Sequence, residues 1–158
     1  MILQIVGYKN SGKTTLMRQT IKLLKSLGLK VATIKNHGHG GEITLQDSNV
    51  DHMKHFSAGA DQSIVQGENY RQTVTHVAKQ NLKELIAESV TIDSDIILVE
   101  GFKDAPYDKV IVYHNQVDYH KLTQLSNVQY HINLSEEMAY KQYEAWLLTF
   151  LRTKGLIR

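Results

Sequence analysis

A glycine-rich segment near the start of the chain has the residue types and spacing that hold a phosphate chain. Residues 7–14 have the sequence Gly-Tyr-Lys-Asn-Ser-Gly-Lys-Thr, which fits G-x-x-x-x-G-K-[ST]. Its glycines let the backbone curl, so that successive N–H groups point at phosphate oxygens. In this pattern Lys13 is expected to reach the β- and γ-phosphates, and the Thr14 hydroxyl to bind Mg²⁺. The segment predicts nucleoside triphosphate binding; the alternative is a strand–helix turn without a ligand.

Such a site also needs an acidic side chain at the end of a neighbouring strand, because a carboxylate holds Mg²⁺ or orients an attacking water. Glu100 is the strongest candidate, since it follows the apolar run 96–99 and Gly101 lets the chain turn away immediately. The alternative is a carboxylate that only ends a strand. Asp95 begins the same strand and is therefore expected at the opposite edge of the sheet. Asp51 lies beside a polar loop, from which a carboxylate can reach the metal.

Two histidines, His37 and His39, alternate with glycines after the second predicted strand. A pair two residues apart, with no cysteine and no fixed third ligand, is weak support for a metal site. A flexible segment beside a phosphate loop favours contact with phosphate or substrate instead. The other histidines have no spacing that predicts a site.

The elements that must position these residues alternate between strands and helices. An apolar strand at 2–6 precedes the glycine-rich segment, and the helix that follows carries on one face Leu16, Thr20, Leu23, Leu24 and Leu27. The continuous apolar run at 95–101 is typical of a strand covered on both faces. Further strands are predicted at 29–35, 62–66, 70–77, 109–113 and 128–132, and helices at 51–58, 79–90 and 136–151, the last capped by Ser135. This alternation predicts an α/β fold with a mainly parallel sheet, in which 70–77 is the antiparallel candidate.

Composition limits the class of protein. The chain has 158 residues, 42% of them hydrophobic, so a single domain over 1–158 is expected. Its 18 basic and 16 acidic residues are too balanced for a protein that mainly grips nucleic acid. The lack of cysteine excludes disulfides and thiolate metal sites. No apolar run approaches a membrane span and a strand begins at Ile2, so neither a membrane anchor nor a removable leader is expected, and the predicted location is cytoplasmic.

Four segments together resemble one known family. They are Gly7–Thr15, Thr33–Lys35 before the His/Gly-rich loop, Asp51–Ala60 with its Ala-Gly-Ala end, and Leu98–Lys103 with the sequence Leu-Val-Glu-Gly-Phe-Lys. The phosphate loop alone is shared by many proteins, whereas this combination is much more specific. It resembles the molybdopterin-guanine dinucleotide biosynthesis protein B family over roughly residues 1–115.

This resemblance implies a P-loop NTPase-like three-layer fold with a mainly parallel, mixed central sheet. It implies a protein that binds GTP and Mg²⁺ and is at most a weak GTPase. Such a protein assists, as an adapter, the molybdenum cofactor guanylyltransferase that joins GMP to molybdopterin. The family is usually a homodimer. The resemblance leaves open whether molybdopterin itself contacts the chain.

The resemblance also implies roles for individual residues. Those that would wrap the triphosphate are Asn10, Ser11, Gly12, Lys13, Thr14 and Thr15. Glu100 would serve the metal together with Thr14 and act as the catalytic group, and Lys35 and Asp51 would approach the phosphates.

The chain departs from the family pattern in the loop after the second strand. Asn36 stands where the family often has histidine, and Gly38 stands where many members have a second one. The Asn-Lys-x-Asp motif of regulatory GTPases is absent, and Asp118 is the nearest candidate in 114–135 for the guanine edge. GTP rather than ATP is therefore expected from the resemblance alone.

Two other functions stay open. A small P-loop phosphotransferase would need several arginines in a lid, and the four arginines of this chain occupy no obvious lid. A metal-delivery GTPase would account for the His-Gly-His-Gly segment but would need a firmer metal site. Slow hydrolysis at best is predicted, because no arginine is placed to stabilise the transition state, an interaction worth about 10³–10⁵ in rate.

Overall fold

In the computed structural model, which describes residues 1–38 and 40–158, the chain divides into two compact units. Met1–Gly38 and Leu82–Arg158 form the first unit, and the intervening segment up to Asn81 forms the second. The single domain expected from composition stays a prediction. In chain order the elements are β1 (Ile2–Val6), α1 (Lys13–Ser26), β2 (Val31–Lys35), α2 (Asp51–Ser57), β3 (Gln62–Gln66), β4 (Arg71–Thr75), α3 (Leu82–Ser89), β5 (Ile96–Glu100), β6 (Asp108–Val112), α4 (Gln116–Leu122), β7 (Val128–Ile132) and α5 (Ala139–Thr153).

The first unit is built on a five-stranded parallel sheet with β1 at its centre. The strand order is β2-β5-β1-β6-β7. Because neighbouring strands all run in the same direction, their carboxyl ends meet at one edge, where open α/β sheets place their ligands. The register sets Glu100 beside Ile5 on one side and Lys35 on the other, and it sets Val6 beside Ile111. The segment after β1 therefore begins between the ends of β5 and β6.

Helices cover both faces of this sheet. On one face the strands form an apolar core with α1 and α5, whose fully buried members include Leu3, Ile5, Leu16, Leu24, Leu98, Tyr143 and Leu147. On the other face Val6 and Ile111 pack against Leu122 of α4. Side chains alternate along a strand, so β1 and β6 bury residues on both faces; their sequences are mainly apolar, with Gln4 and Lys109 as buried polar exceptions. The predicted α/β, P-loop NTPase-like fold with a mainly parallel sheet is confirmed.

The second unit consists of α2 and the antiparallel hairpin β3–β4. The Ser63 hydroxyl donates a 2.7 Å hydrogen bond to the His52 carbonyl, and the Phe56 ring meets the His76 ring edge-on at 5.9 Å. The antiparallel direction predicted for 70–77 is correct. These strands form a two-stranded sheet of their own, so the central sheet of the first unit contains only parallel pairs.

The predicted start of the last helix is wrong. The helix begins at Ala139 rather than near residue 136, and its N-cap is Met138 with φ 62°. Ser135 is not available as a cap because its N–H and hydroxyl both donate to the Asn133 side-chain oxygen, at 3.1 and 2.6 Å. A local Asn turn thus competes with the helix for the same groups.

Two further local features differ from the predictions. Helix α4 was not predicted. The Asn115 side chain caps it by accepting a 2.9 Å hydrogen bond from the Asp118 N–H. Leu27 was expected on the buried face of α1, but it follows the helix as its C-cap and is 37% exposed. Among the described residues, no helix has the length and apolar character that a membrane crossing requires.

We expect Leu24→Ala to lower the free energy of unfolding by about 2–5 kcal/mol, because it leaves a cavity between α1 and the sheet. Leu27→Ala is the matched control and should cost less than about 1 kcal/mol, since this side chain is already in contact with water. Urea unfolding followed by fluorescence of Trp146, the only tryptophan, measures both, because its ring packs against the same core. Equal losses in the two variants would contradict this description of the α1 face.

Candidate phosphate and metal site

The segment between β1 and α1 has a backbone shape that depends on its glycines. A β carbon at Gly7 would lie 2.6 Å from Ser11 Oγ and closer still to the Val112 carbonyl oxygen. Gly12 has φ 94°, in the left-handed region, and a β carbon there would lie 2.6 Å from a methyl group of Leu134. Any other residue at either position would force the neighbours apart. The loop therefore adopts the curled conformation predicted from the sequence, and this conformation requires glycine at both positions.

Lys13 lies at the start of α1 and folds back over this loop. Its ammonium donates a 2.6 Å hydrogen bond to the Tyr8 carbonyl. Burial lowers the pKa of Lys13 below its usual value, Glu100 opposes this effect, and Lys35 adds to it. A cation that is desolvated in this way gains from a bound anion, because the anion restores the electrostatic stabilisation that water no longer provides.

Glu100 ends β5 at the same edge of the sheet and is only 7% exposed. The Thr14 hydroxyl donates to its carboxylate, at 3.3 and 3.2 Å from the two oxygens. The Lys35 ammonium, at the end of β2, lies 2.5 Å from Oε1. The structure thus brings together Lys13 and Thr14 from the first turn of α1 with Lys35 and Glu100 from the ends of β2 and β5.

These residues fit a triphosphate with Mg²⁺. A hydroxyl and a carboxylate supply the hard oxygen ligands that Mg²⁺ prefers. The Ser11 hydroxyl is buried in the loop and has no hydrogen-bond partner among the described residues, so it is free to bond a ligand. Glycine at positions 7 and 12 keeps side chains out of the loop at two points where a β carbon would meet a neighbour, as a phosphate-binding backbone loop requires.

Two further residues, His114 after β6 and Lys103 after β5, contact the loop in ways that were not predicted from the sequence. The His114 ring nitrogen Nε2 donates a 2.7 Å hydrogen bond to the Asn10 carbonyl in the glycine-rich loop. The Lys103 ammonium lies 5.2 Å from the centre of the Tyr8 ring, in the same loop. The sequence carries no signal for the His114 contact, because it follows from the pairing of Val6 with Ile111, which makes the residues after each strand neighbours.

The remaining predicted residues have other surroundings. Asp51 begins α2 in the second unit, where its exposed carboxylate pairs with Lys54 at 3.2 Å. Asp118 accepts a 3.1 Å hydrogen bond from the Asn115 amide at the start of α4. Thr15 is exposed on α1. Asp95 lies at the amino end of β5, where it accepts a 2.7 Å hydrogen bond from the Lys30 N–H, at the sheet edge opposite Glu100 as expected for parallel strands.

The histidine pair cannot be placed as a pair, because His39 lies outside the described residues. Within residues 1–38 and 40–158, no group of three or more His, Cys, Asp or Glu side chains is arranged to hold a metal ion. The interpretation of His37 and His39 as a metal clip stays a hypothesis, as does their contact with phosphate or substrate.

Comparison with known proteins gives consistent results. A profile of the family described as molybdopterin guanine dinucleotide synthesis protein B matches residues 2–133. Over 141 residues the chain is 33% identical to a Bacillus subtilis protein named probable molybdopterin-guanine dinucleotide biosynthesis adapter protein, covering 89% of this chain and 81% of that one.

Solved structures agree with the sequence matches. A crystal structure of a MobB protein homolog from Bacillus stearothermophilus has a TM-score of 0.76 and 26% identity, and the match covers 96% of this chain and 98% of that one. The crystal structure of Bacillus subtilis MobB has a TM-score of 0.71 and 29% identity, with 94% and 96% covered. Since the profile alone spans most of the sequence, the chain belongs to the molybdopterin guanine dinucleotide synthesis protein B (MobB) family.

Proposed function

We propose that the chain binds GTP with Mg²⁺ at the loop between β1 and α1, and that it acts as an adapter in the synthesis of molybdopterin guanine dinucleotide. The observation that carries the proposal is the meeting of Lys13, Thr14 and Glu100 at one sheet edge in a chain of this family. The adapter role follows the printed names of its relatives. The preference for GTP rests on the family resemblance.

In this proposal the backbone and side chains of 10–15 surround the triphosphate. The Lys13 ammonium leaves the Tyr8 carbonyl for the phosphates, and Thr14 and Glu100 hold Mg²⁺. The metal neutralises phosphate charge when it is bound. To hold the metal, Glu100 would release the Lys35 ammonium, which would then be free to turn to the phosphates. Asp51 is a further proposed phosphate-site residue, on the family resemblance alone.

Glu100 is the proposed catalytic group, and turnover should be slow. The cations that the structure brings to the loop are lysines, at positions 13, 35 and 103. A bidentate arginine stabilises phosphoryl transfer far better than a single ammonium. Weak hydrolysis suits an adapter whose nucleotide state matters more than its turnover.

The proposed partners are the molybdenum cofactor guanylyltransferase and a second copy of the chain. Support for a homodimer comes from the hairpin of the second unit, where β3 and β4 pair only with each other among the described residues. On this hairpin Ile64 is 56% exposed, and Tyr70, in the turn that precedes β4, is 87% exposed. Open strand edges with exposed apolar side chains favour pairing with another chain.

We expect Lys13→Ala to weaken triphosphate binding by about 10- to 100-fold, the usual contribution of a hydrogen bond to a charged group. Lys9→Ala is the matched control, because Lys9 lies in the same loop but is exposed. Isothermal titration calorimetry with GTP and Mg²⁺ measures both variants, and circular dichroism checks the fold. Equal affinity in Lys13→Ala and the parent protein would refute the role of this lysine.

Glu100→Gln keeps the side-chain shape and removes its charge. We expect binding without Mg²⁺ to be unchanged or tighter, because a negative group near the phosphates is lost, whereas the Mg²⁺ concentration at half-saturation should rise about tenfold. Asp95→Asn, at the other end of β5, should leave the Mg²⁺ titration unchanged. An unaltered Mg²⁺ midpoint in Glu100→Gln would remove this residue from the metal site.

The proposed function as a whole is tested by competition between GTP and ATP, followed by an assay of guanylyltransferase product formation with and without the chain. We expect GTP to displace a labelled guanine nucleotide at lower concentration than ATP. The parent protein should increase formation of the dinucleotide, and Lys13→Ala should not. Equal competition by ATP would reject guanine selectivity, and transfer of phosphate to a small acceptor would favour the phosphotransferase alternative.

A further inference from the structure

The connection between β5 and β6 crosses the central strand without a helix. β1 lies between these two strands, so residues 101–107 must pass over it. Parallel strands are usually joined by a longer crossover that contains a helix. A short irregular connection exposes its carbonyl groups to the sheet, and those groups need donors from the strands beneath.

Two buried polar side chains supply these donors. Gln4 of β1 and Lys109 of β6 are fully buried and face each other in the sheet register. The Gln4 amide nitrogen donates to the Gly101 carbonyl at 2.9 Å and to the Phe102 carbonyl at 2.7 Å. The Lys109 ammonium donates to the carbonyls of Ala105 and Tyr107, at the far end of the connection.

The part of the connection that Gln4 holds is conformationally unusual. Gly101 and Phe102 are consecutive left-handed residues, with φ 95° and 53°. Such a conformation is unfavourable for a bulky side chain and persists only where the surroundings fix it. Gln4 also leaves its own Oε1 buried without a partner among the described residues, which adds to the cost of placing an amide in the central strand.

This turn is directly connected to the proposed metal site. It begins at the residue after Glu100, and the backbone around Glu100 is anchored on both sides: the Asn36 N–H donates to the Glu100 carbonyl at 2.9 Å, and the Gly101 N–H donates to the Ile5 carbonyl at 3.0 Å. The position of the Glu100 backbone, and with it the position of the carboxylate, therefore depends on the conformation of the turn that follows.

We propose that Gln4 is a positioning residue for Glu100: by holding the carbonyls of Gly101 and Phe102, it fixes the turn that keeps the carboxylate beside Thr14. The proposal rests on the proposed function in treating this carboxylate as a magnesium ligand. Gln4 itself touches neither nucleotide nor metal in this assignment. Its two hydrogen bonds act through the backbone, as outer partners of metal ligands do.

The test compares Gln4→Met with Lys109→Met. Both variants replace a buried donor by an apolar side chain of similar length, and both remove two hydrogen bonds to carbonyls of the same connection; the Phe102 carbonyl keeps a 2.9 Å bond from the Ala105 N–H. We expect Gln4→Met to raise the Mg²⁺ concentration at half-saturation of GTP binding about tenfold, with GTP affinity in the absence of Mg²⁺ unchanged. Lys109→Met should leave the Mg²⁺ midpoint within about twofold of the parent, because the carbonyls that it holds, of Ala105 and Tyr107, lie at the other end of the connection from Glu100.

A second measurement requires no nucleotide. Amide hydrogen exchange in the free protein should become faster at Gly101 and Asn36 in Gln4→Met, whereas in Lys109→Met these two amides should stay protected. Gln4→Asn keeps an amide donor on a shorter side chain, so it gives a milder form of both effects if Gln4→Met does not fold.

Three results would overturn the positioning role. They are unchanged exchange at Gly101 and Asn36, an unchanged Mg²⁺ midpoint, and equal shifts in both methionine variants. If the parent protein shows no Mg²⁺-dependent nucleotide binding, the proposed function fails, and the exchange measurement still decides whether Gln4 fixes the turn.

Discussion

The first unit depends on a carboxylate that is withdrawn from water at the edge of a parallel sheet. A buried charge is costly unless charged and hydrogen-bonding groups surround it. Glu100 receives both, from the Lys35 ammonium and the Thr14 hydroxyl. These groups come from β2 and α1, so β2, β5 and β1 must be in register before the carboxylate is satisfied. The geometry of the site therefore depends directly on the order of the strands in the sheet.

A second constraint follows from the first. The chain must leave β5 sharply after Glu100, because a longer strand would carry it past the edge where the phosphate loop lies. Gly101 permits the turn, and a β carbon there would lie 3.1 Å from the Asn36 β carbon. Buried donors below the connection then replace the helix that would normally cover this part of the sheet. Polar side chains in the central strands are thus the consequence of a short crossover.

The sequence predicted the features that short patterns encode. Local spacing or an unbroken apolar run was enough to predict the glycine-rich loop, β1, the apolar strand β5 and the α/β class. The contact of His114 with Asn10 was not visible, because it depends on which strands are neighbours. The contacts of Gln4 with the Gly101 and Phe102 carbonyls could not be predicted for the same reason. The helix cap predicted at Ser135 was wrong because the Ser135 N–H and hydroxyl both donate to the side chain of Asn133, two residues earlier.

The proposed competition between Lys35 and Mg²⁺ for one carboxylate gives the site two electrostatic states. In the free protein the Glu100 charge is compensated by Lys35, so this pair carries no net charge without a metal. On metal binding the ammonium would lose its partner while remaining largely exposed at the end of β2, where a phosphate could accept it. The free energy of metal binding would then include the loss of this ion pair, which lowers affinity for Mg²⁺ alone. Metal and triphosphate should consequently bind together more readily than either binds by itself, a coupling suited to a protein that responds to nucleotide rather than to free metal.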